Sequence, residues 1–120
     1  MKFYKCDKCN DIFISLNNSP DVAIPELIPG TVDAAKEKHV PVFSVNGEKV
    51  TVHVGEVDHP MVDVHFIEWV AIETDKGVQV KYLKPESAPE AVFGLEADEK
   101  LVGVYAYCNL HGLWKAEPKK

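Results

Sequence analysis

VFSVNGEKVTVHV, residues 42–54, decides the fold. Two runs rich in β-branched residues flank Asn46-Gly47, a dipeptide that supplies the positive φ angles of a two-residue turn, so the stretch reads as a β-hairpin. Downstream, VDVHFIEWVAIET (62–74) is dense in β-branched and aromatic residues. Read as one strand, it places Val64, Phe66, Val70 and Ile72 on one face and Ile67, Trp69 and Ala71 on the other, both covered. Asp75-Lys76-Gly77 turns into VQVKYL, and AVFGL, ADEK and KLVGVYAY give another strand, turn and strand. Short strands at this spacing predict an all-β chain, an immunoglobulin-like antiparallel β-sandwich. Upstream, TVDAAKEK (31–38) suits a short helical turn that Thr31 would cap and that must end before Pro41. NNSPDVAIPELIPG (17–30), with three prolines and a glycine, reads as a linker, and residues 1–16 as a small arm.

With 120 residues and 46% hydrophobic content, the chain can bury a core without disulfide staples. A net charge of −6 with scattered lysines speaks against a nucleic-acid surface. The N-terminal MKFYKCDKCND has no apolar signal segment, and no apolar run is long enough for a membrane span, so a cytoplasmic location is expected. The three cysteines, a Cys6-x-x-Cys9 pair and Cys108, are no disulfide framework and suit metal or redox chemistry.

The most specific local signal is Cys108-Asn109-Leu110-His111-Gly112, directly after an apolar strand. A thiolate and an imidazole three residues apart in a tight turn can share one metal. His53 and His59, six apart across a short loop, and His39, after the helical turn, stand where a sandwich gathers its loops. His65 reads as mid-strand in VHFIEW and is set aside, with a side-chain hydrogen bond as its expected role. Five donors exceed the four of structural zinc, and a thiolate excludes magnesium and calcium, so iron or copper lead. Glu37 and Lys38 alone would read as solvated charges.

Taken together, TVDAAKEKHVP, HVGEVDHPM, HFIEW, LKPESAPEAVF and YCNLHGLW resemble the iron domain of the superoxide reductase family, desulfoferrodoxin and neelaredoxin, over about residues 31–114. The resemblance implies a sandwich with one mononuclear non-haem iron, ligated by His39, His53, His59 and His111 equatorially and by Cys108 axially. It implies reduction of superoxide to hydrogen peroxide at an open sixth position. It also gives Glu37 a place as sixth ligand of the resting ferric iron and Lys38 a place beside the open position. An external electron donor, rubredoxin, and a homodimer follow from the same likeness. The expected organisation is a degenerate N-terminal arm and linker, 1–30, and an iron domain, 31–120.

Desulfoferrodoxins carry a second iron held by a Cys-x-x-Cys pair and two adjacent cysteines. Cys6 and Cys9 match the first pair, but the segment up to Thr31 has no other cysteine, so a single iron per chain is expected. The pair is then a relic, a reversible disulfide or half of a site shared with another subunit. A different class of function, a blue-copper electron carrier, would need a methionine shortly after the histidine of the Cys-His loop, where Leu113 and Trp114 stand; Met61 is the remaining candidate. A purely structural zinc is the third possibility.

Overall fold

The computed structural model describes residues 1–119. Ten strands and one helical turn follow in order: β1 (Lys2–Lys5), β2 (Ile12–Ser15), β3 (Glu26–Leu27), α1 (Lys36–His39), β4 (Pro41–Asn46), β5 (Lys49–Val54), β6 (Ile67–Thr74), β7 (Gly77–Tyr82), β8 (Glu90–Gly94), β9 (Leu101–Cys108) and β10 (Gly112–Ala116). The sheets are antiparallel, with orders β4-β5-β8, β10-β9-β6-β7 and β2-β1-β3. The first two form the immunoglobulin-like sandwich. Among the described residues, no helix is long and apolar enough to cross a membrane.

The β4–β5 hairpin forms with its loop one residue later than the dipeptide suggests. Asn46 pairs with Lys49, so Gly47 and Glu48 make the turn, and only Gly47 takes a positive φ, 63°. That is the pattern of a turn with glycine first. Because side chains alternate along a strand, this register sends Val50, Val52 and Val54 inward and Thr51 and His53 outward. Val50, Val52, Val54 and Phe93 from one sheet meet Ile67, Val70, Ile72, Val104 and Ala106 from the other.

β6 departs from the single regular strand expected. It begins at Ile67, and a register shift between Ile67 and Trp69 turns Ile67 to the same core as Val70 and Ile72. The extra residue is Glu68, and such a bulge re-aims one side chain without breaking the strand. Residues ahead of it form a tight turn closed by reciprocal backbone bonds of 3.0 Å between Val62 and His65.

The arm is a small sheet, and it clads the outer face of the four-stranded sheet. Phe3, 1% exposed, sits against Trp69 and Tyr105 at ring separations of 5.5 and 4.8 Å, and Tyr107, Ala71 and Leu113 complete this second core. This explains why β9 is buried on both faces from Gly103 to Cys108. The helical turn is shorter than expected. Thr31 does not cap it; its hydroxyl donates to the Ile28 carbonyl at 3.0 Å, and α1 starts only at Lys36.

Candidate metal centre

The register places the start of β4, the end of β5, the start of β6 and the β9–β10 turn at one end of the sandwich, since Pro41 pairs with Val54, Ile67 with Cys108 and Cys108 with Gly112. Three loops and the α1 turn therefore deliver side chains to a common corner. His39, His65, Cys108 and His111 have donor atoms all within 4.8 Å of one another. His59 joins them, its Nε2 3.1 Å from Nε2 of His39.

Tautomers follow from the outer hydrogen bonds. Nδ1 of His39 lies 2.7 Å from the Ala35 carbonyl and Nδ1 of His59 lies 2.7 Å from the Pro60 carbonyl. A carbonyl accepts only, so both rings donate from Nδ1 and turn bare Nε2 lone pairs toward each other. His111 brings Nδ1 to within 3.2 Å of His39 Nε2 and 3.8 Å of Cys108 Sγ. The Nε2 of His65 is buried with no hydrogen-bond partner. Lone pairs converging in a buried corner repel unless a cation lies between them. Two imidazole nitrogens at right angles on one metal at about 2.1 Å stand roughly 3 Å apart, which the observed separations match.

Electrostatics tell the same story. Burial lowers the pKa of His39 and His65 and takes that of His59 down to about 4, so these rings are neutral donors at neutral pH. Burial pushes the Cys108 thiol up, opposed by the backbone N–H groups of Leu110 and His111. A metal ion would displace that proton, and the same N–H groups would then steady the thiolate. The donor set, four imidazoles and one thiolate, suits a transition metal and exceeds a tetrahedral shell.

The sequence expects His53 among the ligands and His65 outside them; the structure brings the His65 ring to the corner and turns His53 away from it. His53 lies on the outer face of β5, its Nδ1 3.0 Å from the Gly55 carbonyl and its Nε2 3.0 Å from the Asp58 carboxylate. Both ring nitrogens are engaged away from the corner. His65 is not mid-strand: the Val62–His65 turn precedes β6 and throws its ring into the group, with ring centres 4.7 Å from His59 and 5.1 Å from His111. Met61 is a core residue whose Sδ accepts the Ile67 N–H at 3.4 Å, so it takes no part in the donor group.

The desulfoferrodoxin family model matches residues 31–117. This chain belongs to the desulfoferrodoxin family. Desulfoferrodoxin from Desulfarculus baarsii is 42% identical over 127 residues, covering 98% of this chain and 96% of that one. The crystal structure of the superoxide reductase from Treponema pallidum is similar with a TM-score of 0.81 and 38% identity, covering 98% of this chain and all (100%) of that one. Superoxide reductase (1Fe-SOR) from Giardia intestinalis is similar with a TM-score of 0.60 and 32% identity, covering 71% of this chain and 100% of its own.

In this desulfoferrodoxin-family chain, two supporting residues escaped the sequence reading. Asn109 accepts the Phe66 N–H at 3.0 Å, donates to the Val64 carbonyl at 3.1 Å and gives its own N–H to the Phe66 carbonyl at 3.2 Å. It thus bolts the turn carrying Cys108 and His111 to the segment carrying His65. Trp114, 2% exposed, donates Nε1–H to the His111 carbonyl at 3.1 Å, and its ring lies tilted 5.0 Å from the His39 ring. The signal for Asn109 was its place between Cys108 and His111; for Trp114 there was none beyond proximity.

Glu37 and Lys38 are exposed on α1. Their backbone is pinned by the Val57 N–H, which donates to the Glu37 carbonyl at 3.0 Å. Gly55, at φ 90°, makes this approach possible, because a Cβ there would lie 2.8 Å from both the Glu37 oxygen and the Lys38 carbonyl carbon. The Lys38 charge reaches the corner, where it disfavours protonation of His39 and His65.

Proposed function

We propose that this chain reduces superoxide to hydrogen peroxide at one mononuclear iron held by His39, His59, His65, His111 and Cys108. The observation that carries the ligand set is the pair of bare Nε2 atoms of His39 and His59, 3.1 Å apart beside the partnerless Nε2 of His65. Iron bound there would supply the single electron that superoxide needs.

The chain's residues supply the rest. Lys38, exposed at the rim, attracts the superoxide anion and can order a proton-donating water for the two protons the product requires. Glu37, its neighbour on the same turn, would serve as a further ligand to the iron. Gly55 and the Val57 N–H hold both on their turn. The N–H groups of Leu110 and His111 would lower the basicity of the Cys108 sulfur as an iron ligand. Trp114 and the His39 and His59 rings are buried and would limit the access of bulk water to the corner.

An external one-electron donor must restore the reduced state, and rubredoxin is the proposed one. A homodimer, a cytoplasmic location and a division into a 1–30 arm and a 31–120 iron domain complete the reading. A reducing compartment suits three free thiols.

The test mixes the reduced, iron-loaded chain anaerobically with a pulse of superoxide. Peroxide formed in proportion to oxidised iron, with no dioxygen, is the expected result. Dioxygen release would mean dismutation and overturn the proposal. Metal analysis is expected to give a single iron per chain.

A further inference from the structure

The β1–β2 turn presents Cys6 and Cys9 at its tip, and neither belongs to the donor group of the metal corner. The turn is built rather than frayed. The Cys6 N–H donates to the Asp11 carbonyl at 3.0 Å, the Asn10 N–H to the Cys6 carbonyl at 2.9 Å, and Asn10 takes a φ of 58° to close the loop. The Cys9 N–H donates to Cys6 Sγ at 3.4 Å, which folds the two side chains onto each other. Among the described residues, no third histidine, cysteine or carboxylate joins them in a metal-holding group. Two thiols alone do not close a tetrahedral site, so the pair is left free for redox chemistry.

The two thiols are unequal. The Cys9 side chain and N–H hold the Cys6 thiol below its ordinary value, while the hydrogen bond to Cys6 holds Cys9 above it. Cys9 is exposed and Cys6 half-buried, whereas Cys108 is buried in the sandwich core. An acidified, accessible thiol beside a second thiol in a tight turn is the arrangement that peroxide oxidises to a disulfide.

We infer that Cys6 and Cys9 form a peroxide-oxidisable dithiol, with Cys6 as the attacking sulfur and Cys9 as the resolving one. The Cys6 thiolate attacks one oxygen of hydrogen peroxide; the O–O bond breaks, a sulfenic acid forms on Cys6, and the departing hydroxide takes up a proton as water. The Cys9 sulfur then attacks Cys6, forming the S–S bond and breaking the S–O bond, and a second water leaves. Two thiols give up two electrons and two protons, and one peroxide becomes two waters. The oxidant is the product of the activity proposed above. The inference rests on that reading for its source only, so the test adds peroxide itself and is independent of superoxide turnover.

The iron-loaded, fully oxidised-iron chain with reduced thiols is treated with equimolar hydrogen peroxide, quenched with an alkylating reagent and analysed by intact mass and peptide mapping. The expected result is loss of both alkylatable thiols at the tip, a mass lower by two hydrogens, and a Cys6–Cys9 linked peptide, with Cys108 unmodified. C9S, in which the residue-9 N–H and a hydroxyl remain, is expected to trap a dimedone adduct on Cys6. C6S is expected to show none on Cys9 over the same interval. Both thiols still alkylatable, sulfinic acid as the main product, chains cross-linked to one another, or equal dimedone labelling in the two variants would each overturn the assignment.

Discussion

Two cysteine-bearing turns in this molecule share a spacing and almost nothing else. Cys6-x-x-Cys9 lies in the loop joining β1 to β2, and Cys108-x-x-His111 in the loop joining β9 to β10. The first stands at an exposed tip where only backbone bonds and one N–H to sulfur contact organise it. The second sits at the buried end of the sandwich, where α1 and two further loops add His39, His59 and His65. Spacing supplies a chelating pair; a metal centre needs convergence from elsewhere and donors deprived of other partners. That is why one turn reads as redox-active thiols and the other as a metal site.

The comparison breaks most visibly at Cys108. Cys108→Ser removes the thiolate from the buried turn and is expected to lower iron affinity by more than about 100-fold, since even supporting residues are worth 10–100-fold; iron content after gel filtration reads this. Next, His65→Gln is expected to cost more than about 10-fold in iron affinity, whereas His53→Gln stays within about threefold. The reverse order, measured by competition with a chelator, would restore His53 as a ligand. Asn109→Ala unbolts the Cys108 turn from the His65 segment and is expected to cost about 10-fold in affinity with the ligands intact.

A smaller effect belongs to the metal-free chain. His39 and His59 are buried and His65 is half-buried, and burial holds all three below the ordinary 6.5, His59 at about 4. The unfolded chain takes up these protons as pH falls through 6.5 while the folded chain does not, so stability is full above that value and declines toward pH 4. The thermal midpoint of the metal-free chain is expected to drop between pH 7 and pH 5, and a flat profile would contradict it. The smallest effect is at the exposed turn. Replacing both Cys6 and Cys9 by serine is expected to leave iron content and the superoxide rate within about twofold of the parent, because neither thiol reaches the corner.

Most of the fold was legible because it rests on alternation. Val50, Val52 and Val54, Ala91 and Phe93, and Val104 and Ala106 alternate inward as their strands require. The same alternation carried an unread message: with those valines inward, His53 had to face out. His65 was hidden for a different reason. VDVHFIEW looks continuous as a strand, and only the Val62–His65 turn and the bulge at Glu68 show that the strand starts after the histidine. Both features are set by tertiary partners, Asn109 above all, and leave no local pattern. Cys108, His111, His59 and His39 were legible as loop residues, while their meeting in space was not. Thr31, a good capping residue by type, was claimed by the Ile28 carbonyl before a helix could use it.

The small N-terminal sheet has one more consequence. Phe3 and its neighbours cover Trp69, Tyr105, Tyr107 and Leu113, which lie on the outside of the sandwich and would otherwise meet water. An arm with only half the cysteines for a second metal is therefore still tenanted for structural reasons. A gene shortened to begin at residue 31 would encode every proposed iron ligand and yet release a sandwich with a greasy outer wall, prone to stick to its own kind. The arm persists as cladding, whatever becomes of its thiols.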